Sequence, residues 1–126
     1  MDNEPGKSLA IAAQSLYLVN LMLAPGVAFV LLLLLYWFNR GRADALAMNH
    51  LSQTVGVSLV GGALIVVASA VLLLLGGLDS GYIWMVVILY FILIHSSLIL
   101  MGVMGLVKAM VGEHYVFPLI GRPFRP

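Results

Sequence analysis

Three long stretches of the chain, residues 8–39, 45–78 and 80–107, contain no Asp, Glu, Lys or Arg. A helix needs roughly 20 apolar residues to cross a hydrocarbon core of about 30 Å, and each stretch is longer than that. The chain is 63% hydrophobic and 9% charged, and 126 residues are too few to hide so much apolar surface from water. We therefore expect an all-α integral membrane helical bundle, forming a single transmembrane domain over residues 1–126.

The hydrophobic pattern predicts three transmembrane helices and an interface-hugging C-terminal tail. Their expected ranges are about 15–38, 51–75 and 82–108, with the tail over 111–126. Pro25-Gly26 interrupts the first of them, and proline removes a helix hydrogen bond and clashes with the preceding turn. We expect one span that is kinked or broken there. The alternative is a short hairpin, which would make four membrane helices, each half being shorter than a usual span.

The basic residues predict the orientation, because Lys and Arg collect in cytoplasmic loops. With three spans, Lys7 lies on one side of the membrane. The other side then carries the remaining five basic residues, which are Arg40, Arg42, Lys108, Arg122 and Arg125. This asymmetry predicts a cytoplasmic C-terminus, and the hairpin alternative would move only the N-terminus.

His95 is the most informative single residue, since it lies near the middle of the third predicted span. A polar group that lacks a partner in hydrocarbon costs several kcal/mol, so the imidazole needs a hydrogen-bond acceptor or another ligand. One interpretation is a haem ligand, a proton-relay group or a contact with a partner protein. The other, which we favour, is a neutral histidine bonded to a neighbouring helix, with Ser69, Asn20 and Tyr17 as candidate partners.

Two further histidines allow tests of specific metal chemistry. His50 and His114 both lie at interface depth, so neither can face His95 across one haem iron, and only a single-ligand or shared haem remains. His50, His114 and Glu113 fall on the same membrane face and could meet, as three zinc ligands would. Their spacing matches no zinc-ligand signature, and we predict no metal site.

Several residues suit contacts between helices rather than chemistry. Asn49 and Gln53 are four residues apart and share a helix face, where side-chain amides bond to neighbouring helices. Small residues at helical spacing let helices approach closely. The small-residue positions are Thr54, Ser58 and Gly62 in the second span, with Gly61 and Ser69 close to the same face, and Gly102 and Gly105 in the third.

The sequence lacks the patterns of the common enzyme classes. It contains no cysteine, no pair of carboxylates within one membrane segment, and no phosphate-binding or nucleophile-elbow glycine motif. Its net charge of +1, without clusters of basic and aromatic residues, is unlike that of nucleic-acid-binding proteins. We expect neither an enzyme nor a resident cofactor.

The end of the chain resembles a known pattern. Lys108-Ala109, Gly112-Glu113, Tyr115 and Pro118 are similar to the ending K-A-x-x-G-E-x-Y-x-x-P of a family of small bacterial membrane proteins of unknown function. That family is grouped with the chloroplast inner-envelope protein-import component. The segment Ala47–Gln53 is similar to the family's A-x-N-F-Q motif, although His50 departs from it. The resemblance implies three or four helical spans in a bacterial inner membrane and no established catalytic residue.

These observations favour a structural or accessory subunit of a larger inner-membrane complex, respiratory or transport-related. Its expected partners are the lipid bilayer and larger membrane subunits or further copies of itself. Aromatic residues and arginine are favoured at interfaces, so Tyr115, Phe117 and Arg122 in the tail are candidate partner contacts. The alternatives are a protein-translocation or channel-like component and, third, a haem-associated electron-transfer subunit that uses His95.

Overall fold

The computed structural model describes residues 5–121, and within that range the chain is all α-helical with no strand. The four helices are α1 (Lys7–Met22), α2 (Val27–Asn39), α3 (Ala45–Gly76) and α4 (Gly81–Met110). After α4 the tail continues as an extended segment and a turn. The predicted all-α fold class is confirmed for the described residues.

Only α3 and α4 among these helices are long and apolar enough to cross a membrane. They contain 32 and 30 residues, and the predicted spans over 51–75 and 82–108 lie within them. Helix α2 is apolar but has 13 residues, too few for a span. Three spans are therefore not confirmed for residues 5–121.

Helices α1 and α2 run in opposite directions. Leu9 of α1 and Leu35 of α2 both pack against the buried cluster that Ala13, Leu32 and Leu51 form. In one continuous helix, Leu9 and Leu35 would be about 39 Å apart at 1.5 Å per residue. The chain must therefore reverse between the two helices. The single kinked span is not confirmed, and the packing corresponds to the hairpin alternative.

The reversal between α1 and α2 uses the residues that the sequence marked as a break. Helix α1 ends at Met22, before Pro25, and Gly26 adopts a positive φ of 87°, which glycine tolerates best. The Asn20 side-chain oxygen accepts a hydrogen bond from the Gly26 amide at 2.8 Å. This bond satisfies one of the amides that the start of α2 leaves without a helical partner.

The two chain reversals bring one end of the bundle together. Gly6, just before α1, lies against Asp44 and Ala47 at the start of α3. Ala10 packs with Leu46 of α3 and with Ala109 in the last turn of α4. The first turns of α1 and α3 and the last turn of α4 are therefore neighbours.

We call this end of the bundle the basic end, because it carries the Lys and Arg side chains of residues 5–121. They are Lys7, Arg40, Arg42 and Lys108. The three-span arrangement placed Lys7 on the opposite side, so this assignment is corrected for the described chain. The opposite end is the turn between α3 and α4, which contains Asp79.

Most of the buried residues lie in the part of the bundle near the basic end. In α3 the buried residues lie between Leu46 and Gly61, and the rest of that helix has none. The α1–α2 hairpin, the tail and the adjoining parts of α3 and α4 form this packed half. Beyond it, residues 66–76 and 81–93 contain one buried residue, Val87, and meet where Gly76 lies against Ile83; we call them the two-helix half.

Candidate functional site

The first three turns of α3 contain a group of buried polar side chains. Asn49, His50, Gln53 and Thr54 are each at most 5% exposed. Positions separated by three or four residues share a helix face, so Asn49 and Gln53 are neighbours on the surface of α3. The Thr54 hydroxyl donates to the His50 carbonyl of its own helix at 2.7 Å. The other three side chains point to the tail.

These three side chains, Asn49, His50 and Gln53, form what we call the tail clamp. Asn49 bonds Tyr115 twice, because its Oδ1 accepts from the Tyr115 amide at 2.8 Å and its Nδ2 donates to the Tyr115 carbonyl at 3.0 Å. The Gln53 Oε1 accepts from the Phe117 amide at 3.1 Å. The amides thus bind the tail backbone, whereas the sequence predicted that they would bond a neighbouring helix.

The tail clamp forms hydrogen bonds with the backbone of every second tail residue. His50 Nε2 donates to the Glu113 carbonyl at 2.8 Å, which adds a third position to Tyr115 and Phe117. Alternate residues of an extended segment face the same side, so one helix face can bond them all. An extended backbone has no internal hydrogen bonds, and the clamp supplies the partners that burial requires.

The contact between His50 and Glu113 also determines the histidine tautomer. A carbonyl can only accept, so His50 Nε2 carries the proton and Nδ1 of the neutral ring is an acceptor. Nδ1 then accepts from Gln14 Nε2 at 2.7 Å, which links α1 to the clamp. The Gln14 Oε1 is buried and makes no hydrogen bond. Gln14 is not among the site residues predicted from the sequence, although it is one of the few polar side chains of α1.

Phe117 inserts the tail into the core. It is 1% exposed and forms a buried cluster with Tyr17, Val57 and Leu98. Its ring meets Tyr17 edge-on, with centroids 5.1 Å apart, and Tyr115 in the same way at 4.9 Å. The prediction that the tail only follows the interface and offers Phe117 to a partner is therefore corrected, because this side chain is internal.

Two tyrosine hydroxyls connect this cluster to α4. Tyr17 donates to the Leu98 carbonyl and Tyr115 to the Met101 carbonyl, both at 2.9 Å. Burial raises the pKa of the Tyr115 phenol, so its hydroxyl keeps the proton that it donates. Outside the core, Lys108 and Glu113 form an exposed ion pair at 2.8 Å. Such a surface pair contributes at most about 1 kcal/mol.

His95 bonds a backbone carbonyl of a neighbouring helix. Its Nε2 donates to the Leu21 carbonyl at 2.8 Å, and its ring stacks on Phe91 with centroids 5.0 Å apart. Leu21 is in the last turn of α1, where carbonyls have no partner within the helix. His95 therefore caps the α1 end of the hairpin. The favoured interpretation named the right kind of contact, although none of the candidate partners, Ser69, Asn20 and Tyr17, is the acceptor.

The predicted small-residue positions separate into two groups. A side chain at Gly102 would meet Tyr17 and Leu18, and one at Gly105 would meet Gln14, so both glycines let α1 approach α4 closely. Gly62 is exposed with nothing within 4 Å, and its neighbour Gly61 instead contacts Leu98. Packing within this chain thus uses Gly61, one helical position away from the predicted Gly62.

The remaining predicted residues do not form a ligand site in the structure. Ser58 has a buried hydroxyl oxygen without a hydrogen-bond partner. His50 contacts the backbone of Glu113 rather than its carboxylate, which pairs with Lys108. Residues 5–121 contain no group of three His, Asp or Glu side chains close enough to hold one metal ion. Arg122 lies outside the described residues.

Comparison of the chain with protein-family models, with curated proteins and with solved structures gave no match. The resemblance of the tail to a bacterial membrane-protein family therefore stays a prediction. Two residues of that tail pattern, Glu113 and Tyr115, contact the tail clamp through their backbone. A third, Pro118, begins the turn that follows Phe117.

Proposed function

We propose that this protein is a non-catalytic accessory subunit of a larger assembly in the bacterial inner membrane. In this proposal α3 and α4 cross the bilayer, and the basic end with the C-terminus faces the cytoplasm. The distribution of basic residues supports that orientation, because the Lys and Arg residues within 5–121 all lie at one end. The apolar and exposed surfaces of α3 and α4 support the membrane location.

One observation carries the non-catalytic part of the proposal. Several polar side chains in the packed half bond the backbone of this same chain. Asn49, His50 and Gln53 hold the tail, and Tyr17 and His95 bond carbonyls of other helices. A catalytic site instead needs titratable groups directed at a space where a substrate can bind. These groups therefore support a role in holding a shape.

The haem alternative receives no support from the surroundings of His95. Its Nε2 donates a hydrogen bond to the Leu21 carbonyl in the last turn of α1. Coordination of iron through Nε2 would break that bond and leave the carbonyl without a partner in the apolar interior, at a cost of about 1–3 kcal/mol. The hydrogen bond of His95 therefore does not favour a role as haem ligand.

The exposed side of α3 supports the accessory role. Gly62 is exposed, with nothing within 4 Å of the position that a side chain there would occupy. A helix of another subunit could approach closely over this glycine.

Purification of the tagged chain in a mild detergent tests the proposal. We expect other membrane proteins to co-purify at a fixed ratio, and Gly62→Ile to release them because a bulky side chain separates the helices. Ala70→Ile is the matched control, an equally exposed position on a different face of α3. Recovery of the chain alone, or equal effects of both substitutions, would contradict the proposal. Homo-oligomers that conduct ions would favour the channel-like alternative.

A further inference from the structure

The α1–α2 hairpin has the length of half a bilayer. Helices α1 and α2 contain 16 and 13 residues. At 1.5 Å per residue they measure about 24 and 20 Å, whereas half of the hydrocarbon core is about 15 Å thick. Each helix can therefore run from the headgroup region to the bilayer centre, and neither can cross the whole core with its flanking interfaces.

The contacts of the hairpin place its tip near the middle of α3 and α4. Leu21, in the last turn of α1, bonds His95 of α4 and shares a cluster with Ile65 of α3. From Ile65, helix α3 continues to Gly76, which is about 16 Å further along the helix axis. The hairpin therefore ends about half a bilayer away from the turn that joins α3 to α4.

We propose that the α1–α2 hairpin is a re-entrant wedge that enters the bilayer from the basic end and stops near its centre. This inference rests on the membrane placement in the proposed function but not on the partner complex. The surface that the wedge fits is a lipid leaflet that is anionic and convex.

The cross-section of the bundle supports the convex leaflet. Near the basic end, the leaflet holds α1, α2, α3, α4 and the tail, which reaches inward as far as Phe117. In the other leaflet only residues 66–76 and 81–93 remain, and they pack against each other. The outer, convex leaflet of a curved bilayer has more area per headgroup than the inner leaflet. The wide end of this bundle therefore fits the convex leaflet better.

The charges of the basic end support the anionic leaflet. Arg40 lies over the Trp37 ring, 4.4 Å from its centroid, so its guanidinium is held at the aromatic belt that marks a headgroup region. Lys7 and Arg42 are at the same end. Basic residues near an anionic leaflet gain about 1 kcal/mol each. The acidic residue Asp44 offsets part of this attraction, whereas Glu113 already pairs with Lys108.

Two backbone groups at the hairpin tip are bonded by side chains, as a position in hydrocarbon requires. Backbone without helical hydrogen bonds is tolerated at that depth only where protein groups satisfy it. Asn20 accepts from the Gly26 amide, and the Leu21 carbonyl accepts from His95. These two side chains therefore permit a reversal at the bilayer centre.

Cysteine labelling tests the re-entrant path, and each introduced cysteine is unique because the chain has none. Ser8→Cys, Arg42→Cys and Leu78→Cys are placed for reaction with a membrane-impermeant reagent. We expect the first two to react from one side and Leu78→Cys from the other. Leu23→Cys, at the exposed hairpin tip, should react from neither side and should be quenched by lipids brominated near the chain end. Labelling of Leu23→Cys from the Leu78 side would overturn the inference.

Vesicles of graded diameter test the wedge itself. The Ser8→Cys protein is reconstituted into phosphatidylglycerol–phosphatidylcholine vesicles, and external labelling counts the copies with the basic end outward. We expect a several-fold rise of these copies over inverted copies as the diameter falls, the inverted copies being the internal control. A ratio independent of diameter would overturn the wedge. Purified protein suffices for this experiment, so its outcome is separate from the test of the partner complex.

Discussion

The packed half and the two-helix half of this protein differ in the number of segments that surround α3 and α4 and in how much of each helix is buried. Near the basic end, α3 and α4 pack against both the hairpin and the tail. The last buried residue of α3 is Gly61. In the two-helix half, long apolar side chains such as Leu74 and Leu75 are more than three-quarters exposed. One pair of helices thus has two different environments along its length.

This difference shows where polar side chains can be used in an apolar bundle. Asn49, His50 and Gln53 all lie in the packed half, where the extended tail offers backbone groups to bond. The Tyr90 hydroxyl, by contrast, bonds the Leu64 carbonyl in the middle of α3 at 2.9 Å. The amide and imidazole side chains therefore follow the irregular backbone of the tail, whereas a tyrosine hydroxyl also bonds a regular helix.

The largest expected effect comes from removing Phe117. Phe117→Ala should reduce the free energy of unfolding by about 3–5 kcal/mol, the usual range for truncating a buried aromatic side chain. The cause is a cavity between Tyr17, Val57 and Leu98. Denaturant unfolding in detergent measures the change.

Leu75→Ala is the matched control for Phe117→Ala in the two-helix half, because Leu75 is 85% exposed. It should change the unfolding free energy by less than about 0.5 kcal/mol, as surface substitutions do. Equal losses for the two variants would remove the distinction between the halves.

The next effect concerns the tail clamp. Asn49→Ala removes both hydrogen bonds to Tyr115 and should cost about 2–4 kcal/mol, because two buried backbone groups lose their partners. Ser52→Ala is the control, since the Ser52 hydroxyl bonds only carbonyls of its own helix. Proteolysis of the tail should accelerate in Asn49→Ala alone. A tail that remains protected in this variant would show that the clamp does not hold it.

The same substitution at two glycines gives a smaller but direct contrast. Gly102→Ala should cost about 1–3 kcal/mol, because the added methyl group meets the Tyr17 ring in a packed interface. Gly62→Ala meets nothing within 4 Å and should leave the unfolding of the isolated chain unchanged or slightly improved. The measurement is the thermal midpoint of unfolding of each variant. A lower midpoint for Gly62→Ala than for Gly102→Ala would contradict the packing described.

The last expected effect, no larger than that of Gly102→Ala, is the loss of the hairpin cap. His95→Leu keeps an apolar side chain of similar reach but leaves the Leu21 carbonyl without its donor, at a cost of about 1–3 kcal/mol. Ser97→Ala on the same helix removes only a bond within α4 and serves as the control. The measurement is the unfolding free energy in detergent. An unchanged value for His95→Leu would mean that water or another donor replaces the histidine.

The sequence was sufficient to locate the long helices but insufficient to orient the short ones. The stretches free of charge correspond to α3 and α4, because no ionised group interrupts them. Pro25-Gly26 indicates an interruption between α1 and α2, yet a proline break is compatible with a kink or a reversal. The contact of Ala13 with Leu32 distinguishes the reversal from the kink. The sequence could not predict this contact, because one apolar side chain can pack against many others.

The candidate site was less predictable, because most of its bonds go to backbone. Asn49, His50 and Gln53 were recognisable as polar residues at unusual positions, but every residue has a carbonyl, so the sequence could not name Tyr115 or Phe117 as their acceptors and donors. The different surroundings of Gly61 and Gly62 were also not predictable from the sequence. One residue corresponds to 100° around a helix, which is enough to move a glycine from a packed face to an open one.

The most direct test of the account measures the distance between the two ends of the hairpin. Spin labels at Ser8→Cys and Phe38→Cys, both exposed positions, would be examined by pulsed electron paramagnetic resonance in lipid. The reversal between α1 and α2 predicts a distance below about half of the roughly 45 Å that a continuous helix would give. A distribution centred near the longer value would contradict the re-entrant hairpin and the packed half built around it.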